Sequence, residues 1–391
     1  MSAPPLRILI LYDCMYPESV GGVEHRNYEL GRVLAERGHH VTLAGWTRGT
    51  DPGPPGVTVL ALRHRTGIYS RAGKRKVTAA LRLAASVATI DVSQFDVVEA
   101  ANIPYLHLFP LAARCRRSGT PLVVSWYEFW GSYWREYVGN WKWPPYRLVE
   151  WLSAQIGSRV CAISALTAHR LEDARRNDAP VRLLPSGIPY DRIRRAAQEA
   201  NEPAPPLVYA GRLQAEKRID LLLNAVAELS TEPDRVLLAI IGEGPDRERL
   251  VRQARKIGVE DRVEFVGRLA TQDEVWRRLG SAMIAVQPSS REGFGLFPLE
   301  AMAAGLPVVY CASAESAVPE IVRDGVEGLS VSANVQALAG ALDNLLRDDR
   351  RREDLAARAS ERARTYDWAA VGERVERFLR EVASSNQVEF A

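Results

Sequence analysis

Short apolar runs alternate with longer amphipathic stretches from one end of the chain to the other. The runs are rich in Val, Ile and Leu, and the stretches between them repeat apolar positions at helical spacing. Such alternation predicts a parallel α/β architecture, whose strands are covered on both faces by helices. Arg7 to Tyr12 reads as a first buried strand, Gly22 to Arg37 as a helix closed by Gly38, and Val41 to Ala44 as a second strand. Further strands are expected at Asp96 to Ala100, Leu122 to Trp126, Arg159 to Ile163 and Val181 to Leu184. The alternation breaks at Ala196 to Pro206, a Glu-, Ala- and Pro-rich stretch with the composition of a linker. It restarts with Leu207 to Ala210, Val236 to Ile241, Val263 to Val266, Met283 to Val286 and Pro307 to Tyr310. The pattern therefore predicts two Rossmann-like, doubly wound halves, residues 1–195 and 207–366, joined by a linker at 196–206. Each half would carry its ligand crevice at the carboxyl ends of its strands, the two facing each other across a cleft. The tail, 367–391, is expected to form a helix from Asp367 to about Val382.

Composition narrows the class. The 391 residues are too many for one ordinary domain, and two of this size each bury an adequate core. A formal charge of +3 is too small to imply nucleic acid as a partner. Cys14, Cys115, Cys161 and Cys311 lie far apart in sequence, which suggests neither a zinc site nor a disulfide framework. Met1 to Leu6 lacks the apolar stretch of a signal peptide, and no apolar run is long enough to span a bilayer. These features lead to the expectation of a cytoplasmic protein.

The densest candidate chemistry lies at 292–300, Glu-Gly-Phe-Gly-Leu-Phe-Pro-Leu-Glu. Two carboxylates frame a glycine-bearing loop that runs into a short helix. Pro298 suits the first helical position and Gly305 the left-handed residue past the end, which puts Glu300 in the first turn and Glu292 on the loop before it. A loop of this kind presents N–H groups and a positive helix end to an anion. The carboxylates beside it accept hydrogen bonds from hydroxyls, so the pair suits a sugar nucleotide. Arg212 and Lys217 follow the first strand of the second half, five residues apart across a strand-to-helix turn. Converging there, they would neutralise a diphosphate. An ordinary capped helix and two surface cations account equally well for each feature taken alone.

Their order along the chain is more specific. Ser289 to Gly295 and Glu300 to Val309 resemble the donor-binding motif of the family 4 glycosyltransferases, retaining enzymes of GT-B fold with a Glu-x7-Glu signature. Gly211-Arg212-Leu213 through Lys217 resembles the family's diphosphate loop. Gly242-Glu243-Gly244-Pro245 and Phe265-Val266-Gly267 follow at suitable intervals, and Gly21-Gly22-Val23-Glu24 resembles its N-terminal glycine loop. The resemblance implies that residues 1–195 bind an acceptor, that 207–366 bind the donor, and that the tail helix crosses back to the first domain. It implies that Glu300 holds the nucleotide ribose and that Glu292 meets a donor-sugar hydroxyl. The backbone of Phe294, Gly295 and Leu296 would contact sugar and phosphate, and Gly267, Arg268 and Leu269 would form the base-binding edge. Gly21, Gly22, Gly211 and Gly242 would lie against the nucleotide or acceptor. The reaction implied is front-face displacement with retention, in which Arg212 and Lys217 stabilise the leaving phosphate. No Asp-x-Asp triplet occurs in the chain, which fits the family's metal-independent style. No cofactor is implied beyond the donor substrate, a UDP-sugar first and a GDP-sugar next, with ADP also open. The acceptor would be a small molecule or a lipid, and the Arg- and Ala-rich composition resembles that of high-GC bacteria.

Two departures stand out. Arg218 follows Lys217 where the family usually has Gly, adding bulk near the phosphates. Tyr127 stands at a strand end where the family often places a sugar-contacting His, with Glu128 and Trp130 beside it as further donor-sugar or acceptor candidates. A strand-end aromatic in a core is the competing account of Tyr127. Trp130, Tyr133, Trp134, Tyr137, Trp141, Trp143 and Tyr146 form an aromatic cluster that suits an acceptor wall or a packed loop. The basic run Arg63, His64, Arg65, Arg71, Lys74, Arg75 and Lys76 before apolar Val77 to Ile90 suits an anionic lipid surface, though a basic loop before a core helix explains it more simply. A non-catalytic nucleotide-binding partner subunit, a sugar-nucleotide epimerase and a glycoside phosphorylase are the alternative functions.

Overall fold

The structure, a computed structural model, describes residues 4–19, 21–47, 53–62, 67–68, 75–157, 159–177, 179–200, 205–230 and 237–389. The chain divides into two compact units, Met1–Gly187 together with Trp368–Ala391, and Ile188–Asp367.

The first unit is built on seven parallel strands: β1 (Arg7–Cys14), β2 (His40–Trp46), β3 (Val57–Ala61), β4 (Val97–Ala101), β5 (Leu122–Trp126), β6 (Arg159–Ala162) and β7 (Arg182–Leu183), in the order β3-β2-β1-β4-β5-β6-β7. Side chains alternate across the pleat. Ile8 and Ile10 of β1 pack with Leu30, Val33 and Leu34 of the helix Gly22–Glu36 on one face. Leu9 and Leu11 join Leu83, Leu108 and Leu111 on the other. Val371, Val375, Phe378 and Leu379 of the tail helix Trp368–Glu389 complete the first of these faces, so the chain's last helix belongs to its first unit. Gly187 closes the approach, since a Cβ there would stand 2.6 Å from the Trp368 ring.

The second unit carries six parallel strands: β8 (Leu207–Ala210), β9 (Leu238–Ile241), β10 (Val263–Gly267), β11 (Ile284–Gln287), β12 (Val308–Cys311) and β13 (Gly328–Val331), in the order β10-β9-β8-β11-β12-β13. The direction of winding reverses between β1 and β4 in one unit and between β8 and β11 in the other. Ligand crevices of open parallel sheets form at the carboxyl ends beside such reversals.

Three expectations need correction. The units meet in sequence at 187/188, so 196–206 is not the boundary. The helix Tyr190–Gln198 belongs to the second unit, where Ile193, Ala196 and Ala197 are buried. It lies so close to the helix Gln272–Gly280 that a Cβ on Gly280 would meet the Ala197 carbonyl at 2.1 Å. The Pro-rich composition masked that apolar face. Strands β3 and β13 were not expected: Pro and Gly before Val57 disguise the first, and the short, Gly-led Gly328–Val331 gives the second little apolar signal. Finally, the 296–304 helix starts earlier than its proline suggested, which shifts Glu300.

Candidate functional site

At the carboxyl end of β8 the chain passes through Gly211 to Gln214, turns once at Ala215–Lys217 and enters the helix Ile219–Ala227. The residue joining turn to helix, Arg218, is left-handed (φ 50°, ψ 37°). A left-handed position favours Gly, so the expected bulk of Arg218 matters less than its backbone strain. Arg212 is exposed on this loop, and its carbonyl accepts a hydrogen bond from Tyr209 Oη at 3.4 Å.

At the end of β11 the loop Pro288 to Gly295 is anchored on both sides. Ser290 N donates to Glu216 O at 2.9 Å, and Arg291 pairs with Glu315 at 2.6 Å. Glu292 N donates to Glu315 O, and Ala317 N donates to Glu292 O. These ties bring the two loops together, and Lys217 Nζ lies 2.6 Å from Glu292 Oε1. Gln287, the last residue of β11, also donates its amide to Glu292 Oε1.

Gly295 caps the next helix, Leu296–Ala304, with φ 112°, and Gly305 ends it with φ 96°. Pro298 is therefore the third helical residue rather than the first, and Glu300 the fifth, beyond the first turn. No acidic side chain occupies that first turn. Among the described residues, the N–H groups of Gly293, Phe294, Gly295 and Leu296 donate no hydrogen bond. Phe294 turns its ring inward against Tyr366, which leaves the backbone as the outward feature. Donors at a helix start with its positive end behind them form an anion cradle.

Glu300 is buried, and Gln272 Nε2 donates to its two oxygens at 3.2 and 3.4 Å. Burial pushes its carboxyl up to about 7, with the amide hydrogen bond opposing. A carboxyl at that value passes between neutral and charged near physiological pH.

Two further glycines of this unit have packing reasons. A Cβ on Gly242 (φ 131°) would meet Gly211 O at 2.0 Å, and one on Gly244 would meet Leu213 O at 2.1 Å. They let the β8 and β9 loops touch backbone to backbone. Gly267 ends β10 at φ 79°, followed by exposed Arg268 and half-buried Leu269.

The candidates in the first unit are arranged differently. Tyr127, just past β5, is 8% exposed. Arg26 Nη1 donates to its hydroxyl at 3.0 Å, and that hydroxyl donates to Asn27 Oδ1 at 3.2 Å. The same Arg26 nitrogen lies 2.8 Å from Glu99, whose carboxylate also accepts from Ser125 Oγ at 2.6 Å. Burial pushes the Tyr127 hydroxyl up despite the nearby guanidinium. The residue thus joins a buried polar network. Glu128 accepts from Trp130 Nε1 at 2.7 Å. Trp130 packs on Trp134 and Tyr137 at 4.6 and 4.7 Å between centroids, and Trp134 packs on Tyr146 at 5.1 Å, so most of the aromatic cluster is a packed loop. Trp141, at 96% exposure, is not part of it.

Gly21 caps the helix Gly22–Glu36, and the Glu24 carboxylate folds back beside it, accepting from Ser19 Oγ at 2.8 Å. Arg63, His64, Arg65, Arg71 and Lys74 lie outside the described residues. Arg75 forms an ion pair with Asp13, and the helix Val77–Val87 buries Ala79, Ala80, Leu83 and Val87, as a core helix does. Among the described residues, no helix is long and apolar enough to cross a membrane, and no three His, Cys, Asp or Glu side chains are placed to hold a metal ion. Sequence reasoning missed Gln287 and Gln272, which touch Glu292 and Glu300; a glutamine amid the apolar pattern of β11 was the available signal for the first.

Comparison with known proteins adds the family. Residues 191–364 match the model of the glycosyl transferases group 1, and residues 20–192 that of glycosyltransferase family 4. A D-inositol 3-phosphate glycosyltransferase of Frankia alni is 40% identical over 192 residues, 46% of this chain and 46% of that protein. The chain thus spans about half the length of the first relatives it matches. The sulfoquinovosyl transferase SQD2 of Arabidopsis thaliana is 28% identical over 94% of this chain and 72% of its own. Among solved structures, a sucrose-phosphate synthase from Thermosynechococcus elongatus superposes with TM-score 0.82 at 21% identity, covering 97% of this chain and 99% of that one. Anabaena Alr3699/HepE in complex with UDP-glucose gives 0.75 at 19% identity, covering 96% and 100%.

Proposed function

We propose that this chain, which belongs to the family 4-like glycosyltransferases of GT-B fold, moves a sugar from a nucleoside diphosphate to an acceptor nucleophile. The second unit holds the donor and the first the acceptor. One observation carries the reading: Lys217, Glu292 and the undonated N–H groups of 293–296 meet at the carboxyl edge of one sheet. In this reading Lys217 and Arg212 neutralise the diphosphate, and the Phe294 to Leu296 backbone receives its oxygens. Glu300 accepts from the ribose and Glu292 from a sugar hydroxyl.

The acceptor attacks the anomeric carbon on the face that the diphosphate leaves, the departing phosphate oxygen takes the acceptor's proton, and configuration is retained. The cations and backbone dipoles stabilise charge as it develops on the leaving group, without a divalent ion. A UDP-sugar is the favoured donor and a GDP-sugar the next, with a small-molecule or lipid acceptor.

Calorimetric titration with UDP, GDP and ADP tests this, using Lys217→Ala and Glu300→Ala as controls. One nucleotide should bind the wild type and bind both variants more weakly. Absence of binding by all three would overturn the donor site and favour a subunit without nucleotide chemistry.

A further inference from the structure

We infer that Gln287 is a positioning residue for the donor sugar, holding Glu292 in place when Lys217 turns from it to the diphosphate. The inference rests on the donor-site reading above and adds a residue that reading does not contain. Strand β11 is apolar through Ile284, Ala285 and Val286, then ends in a glutamine that is 3% exposed. Its amide nitrogen donates to Glu292 Oε1 and, at 3.1 Å, to Ser289 Oγ. Both amide hydrogens are thereby used. The opposite orientation would press the amide oxygen against a carboxylate oxygen, so chemistry fixes which end faces Glu292.

The other end is unfavourable. Gln287 Oε1 is buried without a hydrogen-bond partner, a defect that an apolar side chain of similar size would not have. A residue that breaks the local apolar rule and leaves a buried acceptor unmatched is retained for its donor end. That donor shares Glu292 Oε1 with Lys217, while Glu292 Oε2 has no protein partner among the described residues. Lys217 is the ion-pair partner a diphosphate would compete for. Gln287 is neutral, buried at a strand end and indifferent to that competition. It therefore keeps one carboxylate oxygen fixed, so that the other remains aimed at a sugar hydroxyl.

The test separates sugar from nucleotide. Wild type, Gln287→Met and Gln287→Leu are titrated with UDP, GDP and ADP. Each is then titrated with UDP-glucose, UDP-galactose, UDP-N-acetylglucosamine, GDP-mannose and ADP-glucose, and melting temperatures are recorded alongside. Both variants should bind the free nucleotide within about twofold of wild type. The gain in affinity of the preferred sugar nucleotide over the free nucleotide should fall ~10- to 100-fold, the range for a lost hydrogen bond to a charged group. Lys217→Ala should instead lose the free nucleotide itself. Equal loss of nucleotide and sugar nucleotide at an unchanged melting temperature, or no loss of either, overturns the inference while leaving the donor site standing. A wild type that binds none of the nucleotides overturns the donor site, and the inference with it.

Discussion

The two units share one architecture, yet the polar groups at the carboxyl ends of their sheets are arranged oppositely. In the first unit Arg26, Glu99, Tyr127, Asn27 and Ser125 bond one another in a buried network, which leaves Arg26 Nε and Glu99 Oε2 without a partner. In the second, Arg212 is exposed, Lys217 and Glu292 are partly exposed, and four consecutive N–H groups donate to nothing described. A buried network of mutually bonded side chains suits a structural role, whereas a partly solvated cation beside undonated amides suits a ligand. The accounting of donors and acceptors separates the two regions.

The largest effect should come from breaking the buried network of the first unit. Arg26→Met leaves Glu99 buried without its cation and should lower stability by ~3–5 kcal/mol in urea unfolding, the range for breaking a buried pair. Nucleotide affinity, measured where the variant is folded, should stay unchanged. Lys217→Ala should do the reverse, weakening nucleoside diphosphate binding by ~1.5–3 kcal/mol, the range for a hydrogen bond to a charged group, with little change in unfolding.

The next effect is one of pH. Glu300 has its carboxyl raised from 4.5 to about 7, so the neutral form is favoured in the fold. Its contribution to stability is full below about 4.5 and is lost as pH rises through about 7. On the proposed reading ribose hydroxyls donate to the charged form, so sugar-nucleotide affinity should run the other way, falling about fivefold between pH 7 and pH 6 by the linkage of binding to ionisation. Glu300→Gln should flatten both profiles, as calorimetry and thermal melts across that range would register. A profile unchanged in the variant would remove Glu300 from the ribose.

Smaller effects sharpen the contrast. Arg218→Gly should stabilise the second unit by ~1 kcal/mol, by relieving a left-handed residue with a side chain. Tyr127→His should leave donor preference unchanged, because the position is closed off by Arg26 and Asn27. A changed sugar preference, read in a donor competition assay, would return Tyr127 to the site.

The sequence made the parallel sheets legible through their apolar runs, because strands buried on both faces leave little choice of residue. It also located the loops after β8 and β11, where glycine and charge accumulate without periodicity. Two features were hidden for physical reasons. Ile193, Ala196 and Ala197 dock against a helix some eighty residues away in sequence, so their unit could not be read from a neighbouring Pro-rich stretch. Tyr127 meets Arg26 across a separation of 101 residues, and only the sheet brings them together. Motif resemblance identified which residue types matter, but not whether a partner inside the fold already engages them.

The central claim is that the partly solvated loops of the second unit, rather than the buried network of the first, receive the donor. Amide hydrogen exchange with and without a saturating sugar nucleotide tests it most directly. Protection should appear at Gly211 to Arg218 and at Glu292 to Glu300, and exceed any change at Arg26 or Tyr127. Protection confined to the first unit, with the 292–300 loop exchanging as before, would contradict the account.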